Sequence, residues 1–486
     1  MEMTSIDLDV DILVIGGGVV GCAILRELAR YDASIALLEQ YPDVCEGTSK
    51  ANSAIVHTGF DARPGTLEAR LLAEARQLWP EVIARLHIPY LQTGALMVAL
   101  NEQEQATIAR EIVPKAAANG ITLQPLSRAE ILEAAPYVNE RIVGGVLVEG
   151  EGVIDPFWTT RAYCEHALLN GAQLFLGERV NAIEVGRRRL RVRTENGKTF
   201  SAALVVNAAG LWADEVARLA GDHSFKLTPR KGEFLITEED HGVAQIILPV
   251  PSEVSKGILV TPIVFGGVLL GPTAEDVSDK RDLATTTAGQ QRIREGVGRL
   301  VPAMTTASTV RQFAGLRAVS STGDYIIRPS TVSERLLHVA GIRSTGLSAS
   351  PAIGHYVGTL VAETLGLRLR TSYREALPEP LSEATHEDGE VVCLCRSITR
   401  GEILAALRST LPPQTLDGLK RRTGAMLGEC QGNLCLPRLI ALFQQELGRD
   451  PLSLEKHAPG SRLLVERLRH LGSVPAHSGE RPKRGQ

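Results

Sequence analysis

The sequence predicts an α/β fold with three parts: a βαβ unit with parallel strands, an inserted antiparallel β region, and a small, mostly helical C-terminal domain. A glycine-rich turn near the N terminus joins an apolar segment to a helical pattern. Apolar and polar residues alternate through 231–273, as they do in antiparallel sheets. Four of the 7 cysteines fall within 393–435. Because one core rarely grows beyond about 300 residues, the 486 residues of this chain favour two or three domains.

The βαβ unit lies at the N terminus. Residues 11–21 read DILVIGGGVVG, an apolar strand that leads into Gly16-x-Gly18-x-x-Gly21. In this motif the first glycine permits a tight turn, the second lets a pyrophosphate approach the backbone, and the third lets helix and strand pack closely. The helix N terminus offers N–H groups to the phosphates. Glu39 ends the next apolar segment, at the spacing of an acid that accepts hydrogen bonds from ribose hydroxyls. The segment therefore predicts a Rossmann-like dinucleotide site.

Composition and charge exclude several classes of protein. The chain has 44% hydrophobic and 4% aromatic residues, and its 52 Lys and Arg nearly balance its 56 Asp and Glu, so nothing indicates a nucleic-acid partner. The apolar run 12–25 follows Asp7, Asp9 and Asp11, where a signal peptide has basic residues. No other stretch is long enough to span a bilayer. We expect a cytoplasmic protein without a transmembrane segment, any contact with a membrane being peripheral and through a partner.

Local signals place further elements along the chain. Helical patterning covers 67–78 and 102–118. Ser127 is followed three residues later by Glu130, the pairing of a capping box. The Asn-Gly dipeptide at 196–197 marks the turn of a β-hairpin, and VVNAAGLWADEV that follows is a second strand, glycine turn and helix. The chain therefore alternates between βα units and antiparallel strands.

Longer motifs resemble one superfamily. The nucleotide unit, VVNAAGLWAD, GLRAVSSTGDYIIRP and LLHVAGIRSTGLSASPAIG resemble the flavin-dependent oxidoreductases of the D-amino-acid-oxidase and glycerol-3-phosphate-dehydrogenase superfamily. Bacterial glycerol-3-phosphate oxidases and dehydrogenases are most similar, through TSKANSAIVHTGFD, PRKGEF, SKGILVTP and LGPTAED. The resemblance covers almost all of 11–367. It implies FAD as cofactor, bound in a domain made of separated segments with an antiparallel substrate-binding sheet inserted between them.

The C-terminal cysteines give a second strong signal. Cys393-x-Cys395 and Cys430-x4-Cys435 supply four thiolates, which suit zinc or an iron-sulfur cluster. The single residue between the first two weakens the zinc interpretation, since structural zinc sites prefer wider spacing. VCLCRSITRGEI and LKRRTGAMLGECQGNLC resemble the bacterioferritin-associated-ferredoxin type of domain, which implies a 2Fe-2S cluster; zinc stays the alternative.

The other three cysteines are expected to be buried, inert thiols without disulfides: Cys22, Cys45 and Cys164. The resulting domain prediction has five parts. The FAD-binding domain is formed by 8–90, 145–220 and 310–372, the substrate-binding domain by 91–144 and 221–309, the linker by 373–390, the 2Fe-2S domain by 391–465 and a disordered tail by 473–486.

The resemblance also implies which residues contact the cofactor. These lie in the glycine turns, at the end of the second strand, in the following loop, in the β-rich run before the Asn-Gly turn and at the start of the last helix: Gly16, Gly18, Gly21, Glu39, Thr48, Ser49, Asn52, Val180, Ala209, Gly210, Gly346 and Leu347.

His57 is the candidate catalytic base, because the resemblance places the histidine of its motif beside the flavin and imidazole titrates near neutrality. Arg317 in AGLRAV matches an anion-binding arginine of the family and is expected to hold a phosphate or carboxylate with two hydrogen bonds. Lys256, Arg343 and Ser344 are further candidates for substrate binding. Lys231 in PRKGEF either lines the active site or braces a strand.

Three functions are compatible with these features. The first is an FAD-dependent dehydrogenase that converts glycerol-3-phosphate to dihydroxyacetone phosphate and passes electrons through the cluster. The second oxidises another small anionic hydroxy or amino acid, such as L-2-hydroxyglutarate. The third is a non-catalytic electron-transfer subunit. A one-electron cluster beside a two-electron flavin indicates onward transfer to a partner protein, such as another flavoprotein or a membrane-bound quinone-linked subunit.

Overall fold

The computed structural model describes residues 7–251, 257–378 and 389–466. The predicted tail, 473–486, lies outside the described residues, as does much of the predicted linker, 373–390. The chain forms two compact units that divide at residue 384. Among the described residues, no helix is both long and apolar enough to cross a membrane.

The described strands of the first unit are β1 (Asp7–Ile15), β2 (Ile35–Glu39), β3 (Ile55–Val56), β4 (Tyr90–Leu91), β5 (Ala95–Ala99), β6 (Gln124–Ser127), β7 (Gly144–Val148), β8 (Gly152–Ile154), β9 (Gln173–Leu176), β10 (Val180–Val185), β11 (Leu190–Thr194), β12 (Thr199–Asn207), β13 (Leu227–Thr237), β14 (Ile246–Pro249), β15 (Leu259–Pro262), β16 (Val268–Gly271), β17 (Glu275–Asp276), β18 (Thr309–Ser320), β19 (Ile326–Pro329) and β20 (Leu336–Ala340).

The described helices of the first unit are α1 (Val19–Leu28), α2 (Leu67–Arg85), α3 (Glu102–Thr107), α4 (Val113–Ala118), α5 (Arg128–Ala134), α6 (Pro156–Leu169), α7 (Ala213–Leu219), α8 (Thr287–Leu300) and α9 (Gly346–Leu365). A π-helical turn, Ile108–Ile112, joins α3 to α4, so the helical segment that the sequence predicts at 102–118 is continuous. The predicted capping box is present at α5, where the Ser127 and Glu130 side chains each bond the other residue's backbone N–H.

An eight-stranded sheet carries the βαβ unit. Its order is β10-β11-β12-β1-β2-β9, with β20 beside the second half of β12 and β19 beside β20. Strands β12, β1, β2, β9 and β20 run parallel. Strand β11 is antiparallel to both of its neighbours, and β11 and β12 form the hairpin predicted from the Asn-Gly turn. The centre of this sheet is apolar on both faces, as parallel strands covered by helices require.

Helices α1 and α9 pack closely because α9 has small residues on the contact face. A Cβ atom at Gly354 would lie 2.7 Å from the Ala23 carbonyl oxygen, and one at Gly358 would lie 2.6 Å from the Glu27 Cγ. Glycine at these two positions therefore lets the helix axes approach. The packing fixes α9 against the helix that follows the glycine turn.

The second sheet has nine strands and is mostly antiparallel. Its order is β17-β13-β16-β15-β14-β5-β7-β6, with β18 paired along β13. The four strands predicted within 231–273 are present as β13 to β16. Strands β7 and β18 also belong to this sheet, although the predicted boundaries at 145 and 310 place them in the FAD-binding domain. Their pairing partners are distant in sequence, so no local pattern distinguishes the two sheets.

The second unit is small and mostly helical, as predicted. In its described part, the elements are β21 (Val391–Cys393), β22 (Ile398–Thr399), α10 (Arg400–Leu407), α11 (Leu416–Thr423) and α12 (Leu436–Leu447). Its core is formed by fully buried residues from all three helices, including Ile403, Leu419, Leu439 and Phe443.

Candidate active site

A large cavity of the first unit opens where four parallel strands end. The carboxyl ends of β1, β2, β12 and β20 meet at one edge of the eight-stranded sheet, since Ile15 pairs with Leu38 and Asn207, and Asn207 pairs with His338. Ligands of open α/β sheets bind at such an edge. The cavity measures about 850 Å³ and extends from this edge to the nine-stranded sheet.

The glycines of the first turn allow the tight turn and the close packing that the motif predicts. Gly16 has φ +113°, and a Cβ atom there would lie 2.5 Å from the Ala208 carbonyl oxygen. A Cβ atom at Gly21 would lie 1.9 Å from the Gly16 carbonyl oxygen, so only glycine lets α1 follow β1 so closely. Gly16 and Gly18 line the cavity, whereas Gly21 acts from behind the turn. The cradle therefore fits a pyrophosphate bound to the backbone.

Glu39 ends β2 at the cavity wall. Its Oε2 accepts a hydrogen bond from the Gly17 N–H at 2.6 Å and its Oε1 accepts one from the Tyr41 N–H at 2.9 Å. The residue is 7% exposed, and this burial raises the pKa of the carboxyl group to about 7. The two backbone bonds oppose the rise and hold the carboxylate where an acid bonds a ribose in dinucleotide sites.

The loop after β2 is held together by its own polar side chains. The Ser49 Oγ accepts a hydrogen bond from the Val19 N–H, in the first turn of α1, at 2.9 Å. The Thr48 hydroxyl donates to the Leu316 carbonyl oxygen of β18 at 2.7 Å, and the Asn52 amide donates to the Ser49 carbonyl oxygen at 2.8 Å. This loop thus connects the glycine turn to the nine-stranded sheet.

The cavity brings most of the predicted site residues together. Those that line it are Gly16, Gly18, Glu39, Thr48, Ser49, Asn52, His57, Val180, Ala209, Gly210, Arg317, Arg343, Ser344, Gly346 and Leu347. Lys256 lies outside the described residues. The remaining lining includes apolar residues of the nine-stranded sheet, such as Phe234, Leu248 and Leu259, and charged residues, such as Lys115 and Lys280.

His57 follows β3 directly and is held on two sides. Its backbone N–H donates to the Ser348 Oγ at 2.9 Å, and this hydroxyl donates to the Ile55 carbonyl oxygen at 3.0 Å, which ties β3 to the first turn of α9. Its Nδ1 lies 3.0 Å from Oε2 of Glu151, whose side chain is fully buried. The other carboxylate oxygen of Glu151 accepts hydrogen bonds from the Thr58 N–H at 2.8 Å and hydroxyl at 2.9 Å.

The sequence analysis did not identify Glu151, because it lies in a turn, 94 residues beyond His57, with nothing in its local pattern to distinguish it from a surface acid.

Arg317 projects from β18 into the cavity, opposite Arg230 of β13. Its Nη2 donates to the Thr273 carbonyl oxygen at 2.6 Å, and Gly232 leaves the space that the guanidinium fills, since a Cβ atom there would lie 2.7 Å from Nη2. Burial and the nearby Arg230 charge lower the pKa of Arg317 to about 10. Among the described residues no carboxylate lies within ion-pair distance of Arg317, whereas Arg230 binds Asp276 through two hydrogen bonds.

The other basic candidates in the described part of the chain, Arg343 and Lys231, are already paired. The Arg343 Nη2 lies 2.9 Å from Oε2 of the buried Glu68, whose Oε1 accepts a hydrogen bond from the Thr345 hydroxyl. Lys231 donates to Asp282 at 2.8 Å and to the Ala284 carbonyl oxygen, and therefore braces a loop of the nine-stranded sheet instead of lining the cavity. Among the described basic candidates, Arg317 is thus the one poised for an added anion.

The four cysteines of the second unit lie in two adjacent pairs. Cys393 and Cys435 are 1% exposed and contact each other, and Cys395 contacts Cys430 nearer the surface. Burial and the neighbouring Cys393 raise the pKa of Cys435 to about 11. A Cβ atom at Gly428 would lie 2.3 Å from the Cys395 Cβ, so glycine lets the two cysteine segments approach. The four-thiol set suits an iron-sulfur cluster. In the described part of the chain, no three or more His, Cys, Asp or Glu side chains are placed so that they could hold a single metal ion.

The remaining cysteines are buried, as predicted, and all seven are free thiols. They are also neighbours: contact with Cys164 and burial raise the pKa of Cys22 well above its usual value, and Cys45 lies close enough to add to the effect. Their proximity was not evident from the sequence, where they are far apart.

Two family models match the chain. The model of FAD dependent oxidoreductases (DAO) matches residues 11–360, and that of the BFD-like 2Fe-2S binding domain matches residues 391–445. The glycerol 3-phosphate dehydrogenase of Caloramator mitchellensis is 36% identical over 472 residues, which cover 94% of this chain and 98% of that protein. One subunit of the anaerobic glycerol-3-phosphate dehydrogenase of Escherichia coli K12 is 28% identical over 497 residues, 90% of this chain and 88% of that protein.

A solved structure agrees with these matches. Dithionite-reduced L-alpha-glycerophosphate oxidase from Mycoplasma pneumoniae, with FAD bound, superposes with a TM-score of 0.72 at 31% identity, over 76% of this chain and 99% of that one. The first family match covers the cavity and the second covers all four cysteines of the second unit. Since the matches span the segments that form both sites, the chain belongs to the DAO family of FAD-dependent oxidoreductases and takes FAD and a 2Fe-2S cluster as its cofactors.

Proposed function

We propose that the protein oxidises glycerol-3-phosphate to dihydroxyacetone phosphate and passes the electrons through its 2Fe-2S cluster to a partner protein. The observation that carries this proposal is Arg317, a largely buried cation that lines the FAD cavity without a carboxylate partner among the described residues. An anionic substrate supplies the missing negative charge. The relatives from Caloramator and Mycoplasma, which are named for glycerol-phosphate substrates, support a phosphate as that anion.

When bound, FAD would supply the acceptor for the hydride that leaves C2 of the substrate. The protein supplies the other parts of the reaction. Arg317 holds the phosphate through charge-assisted hydrogen bonds and so fixes the distance of C2 from the cofactor. Since Nδ1 of His57 faces Glu151, Nε2 is the nitrogen available to take the C2 hydroxyl proton. Loss of one hydride from carbon and one proton from oxygen leaves the C2 carbonyl of the product.

Cofactor binding is assigned to the groups around the sheet edge. The glycine turn and the first turn of α1 hold the pyrophosphate, and Glu39 bonds the ribose. The N terminus of α9 presents backbone N–H groups of Gly346 and Leu347 at the cavity, where they favour negative charge on the cofactor.

Electron exit is assigned to the second unit. Cys393, Cys395, Cys430 and Cys435 are the proposed cluster ligands, and a 2Fe-2S cluster passes electrons one at a time. Similarity to a protein that is named as one component of an anaerobic dehydrogenase supports a partner protein as the acceptor. A membrane-associated partner would place this chain at the membrane surface.

An anaerobic titration tests the proposal. We expect glycerol-3-phosphate to bleach the flavin band and then the broad iron-sulfur absorbance, because electrons reach both centres. L-2-hydroxyglutarate is the matched competitor, since Arg317 binds carboxylates as well as phosphates. Bleaching by L-2-hydroxyglutarate but not by glycerol-3-phosphate would show that the hydroxy acid is the substrate. Bleaching by neither compound would favour the electron-transfer subunit.

A further inference from the structure

We propose that Glu151 is the positioning residue of His57: its buried carboxylate binds the imidazole at Nδ1 and leaves Nε2 free to take the substrate proton. This inference rests on the proposed function and adds to it a group that does not touch the substrate. His57 and Glu151 approach from different parts of the fold, β3 and the turn before β8, which pair as neighbouring strands. The register of that pairing sets their separation.

The contact is short and shielded from water. Nδ1 of His57 lies 3.0 Å from Oε2 of Glu151, and the two side chains are 14% and 0% exposed. In the described part of the chain neither atom has a hydrogen-bond partner of good geometry, and the two face each other at ion-pair distance. A buried carboxylate oxygen and a buried imidazole nitrogen at this distance are complementary only when the nitrogen bears a proton. The contact therefore selects the tautomer whose lone pair is on Nε2.

The carboxylate itself is fixed by Thr58. Both the Thr58 N–H and its hydroxyl donate to Oε1 of Glu151, at 2.8 and 2.9 Å. One oxygen is thus anchored on the residue next to His57 while the other faces the ring. The charge also counters the imidazolium that forms when His57 takes a proton, as in other carboxylate-histidine pairs. In this arrangement Glu151 orients the base and faces the charge that forms on it.

Other charged and titratable groups face this pair. Tyr90 of β4 lies against the residue after Glu151, because a Cβ atom at Gly152 would be 2.4 Å from its hydroxyl oxygen, and burial and the Glu151 charge raise its pKa. Asp61, Lys115, Arg317 and Arg343 line the same cavity as His57. These groups are unchanged by substitution at 151, so a difference between variants reports the Glu151 charge.

The experiment is anaerobic flavin reduction by glycerol-3-phosphate in the purified holoenzyme, followed by stopped flow as a function of pH. We expect Glu151→Gln to lower the reduction rate about 10- to 100-fold, part of the contribution of a general base. We also expect the acid limb of its pH–rate profile to move to lower pH, because the imidazolium loses its counter-charge. Glu151→Asp keeps the charge, so its acid limb should stay in place.

Two controls separate this role from general damage. Glu233→Gln removes another buried carboxylate, which bonds Thr286 outside the cavity lining, and should leave the profile unchanged. Thr58→Val loosens Glu151 without removing its charge, so it should lower the rate by less than Glu151→Gln and leave the acid limb in place.

The outcomes are distinct. Wild-type flavin that stays oxidised refutes the proposed function, whatever the variants do. Wild-type flavin that is reduced, with an unchanged rate and acid limb in Glu151→Gln, overturns the role of Glu151 alone. If Glu151→Gln does not retain FAD, Glu151→Asp tests the proposal instead. The shorter aspartate lengthens the contact with His57 and should lower the reduction rate severalfold. An unchanged rate in Glu151→Asp overturns the proposal.

Discussion

Replacing Arg317 with methionine should stabilise the protein without substrate and disable it as an enzyme. The pKa of Arg317 falls from 12.5 to about 10, chiefly through burial. At about 1.4 kcal/mol per pH unit, the buried charge costs the folded state about 3 kcal/mol. Because the folded-state pKa is lowered, the charged guanidinium destabilises the folded state at every pH below about 10. Methionine also loses the hydrogen bond to the Thr273 carbonyl oxygen, worth about 1 kcal/mol, so the net gain is about 2 kcal/mol.

The opposite effect is expected on catalysis. The Arg317 guanidinium has no carboxylate partner among the described residues, so its charge is available to the substrate anion. Truncating one partner of a buried, hydrogen-bonded charge pair costs about 2–5 kcal/mol. We therefore expect Arg317→Met to lower kcat/KM for glycerol-3-phosphate about 100-fold or more.

Thermal melts and steady-state kinetics together test this reasoning. Wild-type protein should melt at higher temperature when glycerol-3-phosphate is added, whereas Arg317→Met should melt higher without ligand and respond little to it. Arg299→Gln is the control, because Arg299 is an exposed cation paired with Glu104 outside the cavity lining. A methionine variant that is less stable than wild type, yet keeps its kcat/KM, would refute the assignment of Arg317 as an uncompensated anion-binding charge.

Three further predictions concern the cofactors. The pKa of Glu39 is raised to about 7, and the carboxylate form is the one that accepts the ribose hydrogen bonds. The Kd for FAD should therefore rise up to about tenfold for each pH unit below 7, and Glu39→Gln should remove this pH dependence. Fluorescence titration measures both effects. Gly21→Ala should abolish FAD binding, because its Cβ would lie 1.9 Å from a carbonyl oxygen, whereas Gly298→Ala, in α8 and outside the cavity lining, should retain the flavin spectrum. Cys395→Ser should abolish the iron-sulfur absorbance and electron transfer to an acceptor, while substrate still reduces the flavin. Cys22→Ala is the control and should keep the cluster. A cluster signal that survives Cys395→Ser would contradict the proposed ligands.

The sequence was sufficient for the parts of the fold that depend on local signals. The Gly16 turn, the hairpin at 196–197 and the capping box at Ser127 each need a particular residue at a particular position, and the structure confirms all three. The sheet to which β7 and β18 belong was not predictable, because pairing between strands more than forty residues apart produces no pattern in a short sequence segment. For the same reason, Glu151 and the cluster of Cys22 with Cys164 could be found only in three dimensions.

The candidate site divides in the same way. Residues that a motif fixes, such as Glu39 and Thr48, line the cavity. The roles of basic residues are harder to predict, because a lysine or arginine near the cavity can already be paired with an acid. Lys231 and Arg343 are engaged by Asp282 and Glu68, and these acids have no sequence signal that connects them to the cavity.

The pairing of β13 with β18 has a consequence for how this enzyme can change its substrate. Strand β18 bonds the cofactor loop through Leu316 and carries Arg317 as the next residue, while Gly315 lies against Ala51, where a Cβ atom would be 2.0 Å from its carbonyl oxygen. The residue that bonds the loop after β2, Leu316, and the proposed anion-binding residue, Arg317, are therefore separated by a single peptide unit. An insertion or a shift of one residue in this strand would turn the arginine to the other face of the sheet. Longer or shorter substrates would be more readily accommodated by changes in side chains at the opposite end of the cavity than by moving the charge that we propose to hold the anion.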